Sequence, residues 1–219
     1  DSLAYYRVFN ADGTEVEQCG NGVCCVAWAV SRNSDQKSKF TLGSPTGPVQ
    51  VRILGENSVA VCLGQPEFEP IKIPFIADKR APVYPLQAGG DLLSVSVLSM
   101  GNPHCVLQVN QIADANIQTL GPIIETHERF PNRTNVGFMA IRNRNKINLR
   151  VHERGVGETM ACGTGACAAV VAGRVLGKLD EDVEVNLPGG QLMVSWSGES
   201  AAVWLSGSAK LSYEGTLDL

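Results

Sequence analysis

The chain has 219 residues, of which 44% are hydrophobic and 18% charged, and its formal net charge is −4. That allows one large domain or two small ones, with enough apolar residues to fill a core without metal or disulfide support. The weak negative charge, with no basic block, argues against a nucleic-acid partner. The longest apolar stretch, near residues 166–172, is too short for a membrane span.

Taken in chain order, residues 5–9 read as a strand. The signature Glu15-Val16-Glu17-Gln18-Cys19-Gly20-Asn21-Gly22 follows, then a helix over 22–32 rich in small apolar residues. Strands are expected over 49–54, 58–63 and 92–98, from β-branched content and alternation. A third helix is expected over 112–120, with Asp114 near its start and Gly121 as a stop. A strand over 146–151 leads to Glu158-Thr159-Met160-Ala161-Cys162-Gly163-Thr164-Gly165 and a helix over 165–177. Strands over 183–187, 191–196 and 202–205 follow, and a last one near 210–217 is expected to return to the first unit. Gly and Pro punctuate the whole series.

The two signatures lie 143 residues apart. In each, a Glu stands four residues before a Cys, and the Cys opens Cys-Gly-x-Gly ahead of a helix. The layout is a duplicated α+β unit with a boundary near Gly64-Gln65-Pro66. Seven cysteines, an odd number without framework spacing, and no leader segment read at the start, point to reduced thiols and a cytoplasmic setting. Cys25, Cys62, Cys105 and Cys167 read as core residues. The three His (His104, His127, His152) do not sit at zinc-ligand spacing, so no metal is expected.

Cys-Gly-x-Gly at a helix start has a chemical use. Unpaired backbone N–H groups and the helix dipole favour negative charge there, which is expected to lower a thiol pKa. The glycines let a ligand approach the main chain. The same N–H groups can hold a carboxylate and stabilise charge that develops when an α-proton leaves. Two such sites make a two-base device. One thiolate removes the proton from one face, and the other thiol returns one to the opposite face. The scheme requires no cofactor. Gly163-Thr164-Gly165-Ala166-Cys167-Ala168 also fits a dinucleotide fingerprint, but the residues before it are not strand-like.

Four ordered segments resemble diaminopimelate epimerases: Phe9-Asn10-Ala11-Asp12-Gly13-Thr14-Glu15 through Gly22; Ser99-Met100-Gly101-Asn102-Pro103-His104-Cys105; Asn135-Val136-Gly137-Phe138; and Glu153-Arg154-Gly155-Val156-Gly157 through Gly165. The resemblance implies an α+β fold of two pseudo-symmetric strand-rich domains, each wrapped around a central helix, with the active site in the cleft between them. Residues 1–63 with 208–219 would form one domain and 64–207 the other. It also implies a homodimer, and interconversion of LL- and meso-diaminopimelate without pyridoxal phosphate, on the route to lysine and peptidoglycan. Cys19 and Cys162 would be the acid–base pair. Gly20, Asn21, Gly163 and Thr164 would hold the reacting carboxylate through main-chain N–H groups. Asn10, Asn102, Asn135, Glu153 and Arg154 would bind the other substrate groups, and His104 and Glu153 would tune the thiols.

Three departures stand out. The family carries a further segment with a Gly-Leu-Gly-Asn-Asp-Phe motif ahead of the first strand read here, so the chain is expected to be a fragment or a truncated relative. Cys24 stands where Arg is usual, and His152 where a larger aromatic is usual. The alternatives to an active epimerase are a non-catalytic relative that binds ligand or a partner chain, a two-cysteine racemase of proline type, and a thiol redox sensor.

Overall fold

The computed structural model describes residues 2–9, 13, 15–16, 19–34 and 38–216. Strands β1 (Ala4–Tyr5), β2 (Val8–Phe9) and β3 (Glu15–Val16) precede α1 (Gly20–Arg32). Strands β4 (Lys39–Gly43), β5 (Val49–Gly55) and β6 (Ser58–Cys62) complete the first half. The second half opens with β7 (Tyr84–Ala88), β8 (Asp91–Ser99) and β9 (Pro103–Gln108), followed by α2 (Ile117–Glu125). It continues with β10 (Asn135–Asn143), β11 (Lys146–Glu153), β12 (Gly157–Thr159) and α3 (Gly163–Val175). Strands β13 (Asp182–Leu187), β14 (Gly190–Ser195) and β15 (Trp204–Ser208) end the series.

The α+β expectation holds. Among the described residues, one thirteen-stranded mixed sheet runs through both halves. The seam is β15, which pairs with β6 through Leu205 and Val61 and with β14 through Leu205 and Val194. Residues 210–216 form no strand, so the return to the first half is made by β15 rather than by a strand near 210–217. Alternation sets which side chains face inward. Val183, Val185 and Leu187 of β13 are buried, as are Ile147, Leu149 and Val151 of β11.

The two signature helices differ in burial. In α1, Val23, Cys24, Ala27 and Ser31 form one inward face against β5, β6 and β15. In α3 every residue from Gly163 to Gly173 is buried. Its Gly, Ala and Val side chains are small enough for strands to close around it, and it touches β8, β9, β10, β11, β14 and β15. One hydrophobic cluster holds both helices together with strands of both halves. A second, around Ile73, Phe75, Ile117, Ile124, Phe130 and Phe138, lies under α2.

Two sequence expectations change for physical reasons. The third helix begins at Ile117, after a separate 3-10 turn at Ile112–Asp114, and it runs through Gly121. A Cβ at Gly121 would sit 2.7 Å from Cγ of His152, so the glycine makes room for a ring rather than ending the helix. Strand β10, not anticipated from the sequence, is buried along most of its length. It lies between α2 and α3, so both faces are apolar and no alternation marks it.

Candidate active site

Cys19 and Cys162 are the residues immediately before α1 and α3. Their backbones are extended, at φ −138°, ψ 96° and φ −122°, ψ 110°. Each carbonyl accepts the first helical hydrogen bond, from Val23 N–H and Ala166 N–H, both at 2.9 Å. Neither thiol closes a well-formed capping hydrogen bond on its own helix, although the Gly165 N–H faces the Cys162 sulfur. The first-turn N–H groups therefore point outward beside each sulfur without intrahelical partners.

The helix starts meet head to head. A Cβ on Gly163 would lie 3.1 Å from Gly20 Cα, and one on Gly20 would lie 3.3 Å from Gly163 Cα. Either would also press on Leu205 of the seam strand, at 2.9 and 2.7 Å. The second glycine of each motif lies beneath its own sulfur. A Cβ at Gly22 would meet Cys19 Sγ at 3.2 Å, and one at Gly165 would meet Cys162 Sγ at 3.3 Å.

The duplication extends upstream with the same 143-residue offset. Arg7 grips Glu15 side-on, Nε to Oε1 at 2.8 Å and Nη2 to Oε2 at 2.7 Å. Arg150 grips Glu158 in the same way, at 2.6 and 2.9 Å, with Gln118 donating to Glu158 at 2.8 Å. Each pair spans a hairpin, β2–β3 or β11–β12. The repeated Glu is thus an ion-pair residue of the hairpin ahead of each cysteine.

Around Cys162 the other expected residues assemble into one network. His104 Nε2 is 2.9 Å from Asn102 Oδ1, Asn102 Nδ2 donates to Thr164 Oγ1 at 3.5 Å, and Thr164 Oγ1 lies 3.7 Å from Cys162 Sγ. Glu153 approaches the same thiol, and Thr159 Oγ1 donates to its carboxylate. The buried amide of Asn135 donates to Pro103 O at 2.9 Å and accepts from Arg154 N–H at 3.0 Å, tying the start of β10 to the residue beyond β11. Gly20 and Asn21 join the group through the helix contact. Asn10 lies outside the described residues.

The electrostatics depart from the simple helix-start expectation. Burial and the Glu153 charge push the Cys162 thiol up to about 12, although the Gly165 N–H and Thr164 hydroxyl act the other way. Cys162 is therefore a thiol in this environment. His104 is buried, and burial and the Arg154 charge push it down to about 3. It is neutral, and with Asn102 Oδ1 as acceptor its Nε2 carries the proton.

The remaining cysteines divide. Cys105 and Cys167 are core residues as expected, but Cys25 is exposed and Cys62 half-exposed. Cys24 points inward from α1, so its neighbour Cys25, about 100° further round, faces out. Burial, with Cys25 and Cys19 nearby, pushes Cys24 up to about 12. All seven cysteines are free thiols. Sequence reasoning missed Glu125 as a site neighbour. It lies buried at the end of α2, 2.8 Å from the His152 ring, and no local pattern marks it.

The family model described as diaminopimelate epimerase matches residues 2–69 and 96–212. A diaminopimelate epimerase of Thioalkalivibrio sulfidiphilus is 47% identical over 216 residues, covering 98% of this chain and 78% of that protein. Among solved structures, a PhzF-family phenazine biosynthesis protein of Bacillus anthracis is similar with TM-score 0.64 at 15% identity, covering 94% of this chain and 78% of that one. A probable proline racemase of Agrobacterium radiobacter K84 is similar with TM-score 0.67 at 14% identity, covering 95% and 69%. At those identities they share the fold. The ordered motifs, the paired cysteine-capped helices and these matches give one conclusion: the chain belongs to the diaminopimelate epimerase family.

Proposed function

We propose that this protein interconverts LL- and meso-2,6-diaminopimelate by two-thiol proton transfer at the α-carbon. The observation that carries this reading is the meeting of α1 and α3 at Gly20 and Gly163, each helix headed by a cysteine. A carboxylate at that junction would receive N–H groups from both first turns and the positive ends of both dipoles. Its α-carbon would then lie between the two sulfurs.

A thiolate on one side takes the α-proton, and the electron pair left on carbon delocalises into the carboxylate held by the N–H groups. The thiol on the other side delivers its proton to the opposite face. Configuration inverts and the two sulfurs exchange protonation states. The Cys162 thiol, kept protonated by burial and the Glu153 charge, suits the donor step, and the two cysteines exchange roles when the direction of reaction reverses. Return to the starting state needs a proton exchange with solvent or turnover in the reverse direction. Asn10, Asn102, Asn135, Glu153 and Arg154 would hold the substrate's amino and carboxyl groups, including the distal end, where the Arg154 guanidinium suits a carboxylate. His104, neutral, acts through Asn102 and Thr164 on the Cys162 sulfur.

The same reading includes a two-unit chain, 1–63 with 208–219 and 64–207, meeting at β6 and β15. It also includes a homodimer and a cytoplasmic setting. Free thiols support a reducing compartment. Among the described residues no helix is long and apolar enough to cross a membrane.

The test is conversion of LL-diaminopimelate, followed by chiral chromatography, with L-proline run in parallel. Appearance of the meso isomer without racemised proline supports the reading. Racemised proline with unchanged diaminopimelate overturns it in favour of the proline-type alternative.

A further inference from the structure

The turn carrying Glu153 and Arg154 is closed by Val156 N–H donating to Glu153 O at 3.1 Å, with Gly155 in the left-handed region at φ +76°. Two of its main-chain N–H groups are taken by side chains from other elements. Arg154 N–H goes to Asn135, and Gly155 N–H donates to Glu125 Oε1 at 2.9 Å. The other oxygen of Glu125 lies 2.8 Å from His152 Nε2. Arg133, itself at φ +56°, brings its guanidinium within 3.6 Å of Oε1.

Glu125 and Gly121 stand one turn apart on α2. Gly121 receives the His152 ring, and Glu125 grips both that ring and Gly155 N–H. The helix thus holds the residue immediately before Glu153 and the residue immediately after Arg154. Glu125 and His152 are both buried, at 7% exposure each, where a carboxylate persists only if its oxygens are hydrogen-bonded. Burial acts to raise the Glu125 carboxyl, but the Gly155 N–H, His152 and Arg133 outweigh it and hold it below the ordinary value. It is an ionised acceptor at neutral pH.

Resting on the proton-transfer reading above, we propose that Glu125 is a positioning residue. Through His152 and the Gly155 N–H it fixes the turn that sets Glu153 against the Cys162 thiol and presents Arg154. It touches no reacting atom and acts only on one of the two half-sites.

The experiment compares the parent protein with Glu125→Ala, Glu125→Gln and Glu125→Asp. The rate of alkylation by iodoacetamide is measured against pH separately at Cys162 and Cys19 by peptide mass spectrometry, alongside kcat and KM for diaminopimelate. In Glu125→Ala, release of Glu153 moves the Cys162 profile toward lower pH and leaves that of Cys19 in place, and kcat/KM falls at least tenfold. Gln keeps an acceptor for Gly155 N–H and a group facing His152, so it stays within about threefold of the parent in kcat/KM. If Glu125→Ala does not fold, Glu125→Asp, one methylene short of its two partners, is read in its place. An unchanged Cys162 profile in folded Glu125→Ala, or in Glu125→Asp where it is read instead, or equal shifts at both cysteines, overturns the proposal. If the parent does not turn over diaminopimelate, the functional reading fails, while a selective Cys162 shift still supports the positioning role.

Discussion

Gly163 and Gly20 each face the other and the methyl of Leu205 at once, and a Cβ on Gly163 would come within 3.1 Å of Gly20 Cα. A backbone atom at 3.1 Å cannot move aside like the tip of a side chain. Gly163→Ala is therefore expected to lower stability by about 1–3 kcal/mol, the range for overpacking, and to part the helix starts. Urea denaturation reads the first effect, and loss of at least tenfold in turnover reads the second. His104 gives a pH prediction. Its pKa falls from an ordinary 6.5 to about 3 on folding, so between those values the unfolded chain binds a proton that the folded one refuses. Its contribution is complete above pH ~6.5 and is lost progressively toward pH 3. His104→Gln should therefore show a shallower decline of stability across that window, and equal slopes would contradict the assignment. Cys19 and Cys162 were legible in the sequence because their context repeats. Glu15 and Glu158 were legible as a repeat but not as ion-pair residues, since Arg7 and Arg150 meet them across hairpin registers that composition does not reveal.

The hairpins ahead of the cysteines are pinned unequally. Arg150 and Glu158 are about one-quarter and one-fifth exposed, whereas Arg7 and Glu15 are more open. Partial burial reduces screening, so charged hydrogen bonds of the second pair should contribute about 1.5–3 kcal/mol at most. Arg150→Ala is expected to destabilise the protein measurably and Arg7→Ala much less, with urea midpoints deciding the order. The Arg150 hydrogen bonds hold the Glu158 carboxyl below its ordinary value. That contribution is present above the unfolded value of ~4.3 and disappears as pH falls through the folded one. Helices α1 and α3 were readable from the small residues after each signature. The extent of α2 was not, because Gly121 ends a helix by local rules and continues one only when the His152 ring is known to lie on it. Strands β9 and β10 were missed because two-sided burial removes the alternation that marks a strand.

At the scale of the molecule, β15 joins the strands of both halves into one sheet, and the helices that follow the two cysteines converge above it. A loop-borne pair of thiols would be free to drift apart. Here both are fixed by backbone packed into a common core. The two cysteine-led helix starts could be inferred from the repeated signature, but the junction at Leu205 arises only once β6 and β14 share a strand. The central claim is that two thiols, one on each helix start, move the α-proton. It is tested most directly by NMR of meso-diaminopimelate in D2O with the parent, Cys19→Ala and Cys162→Ala proteins. The account predicts loss of the α-proton signal with the parent, and in each variant loss of epimerisation by the ~10²–10⁴-fold contribution of a general acid or base, or more. Full epimerisation by either folded single variant would contradict it.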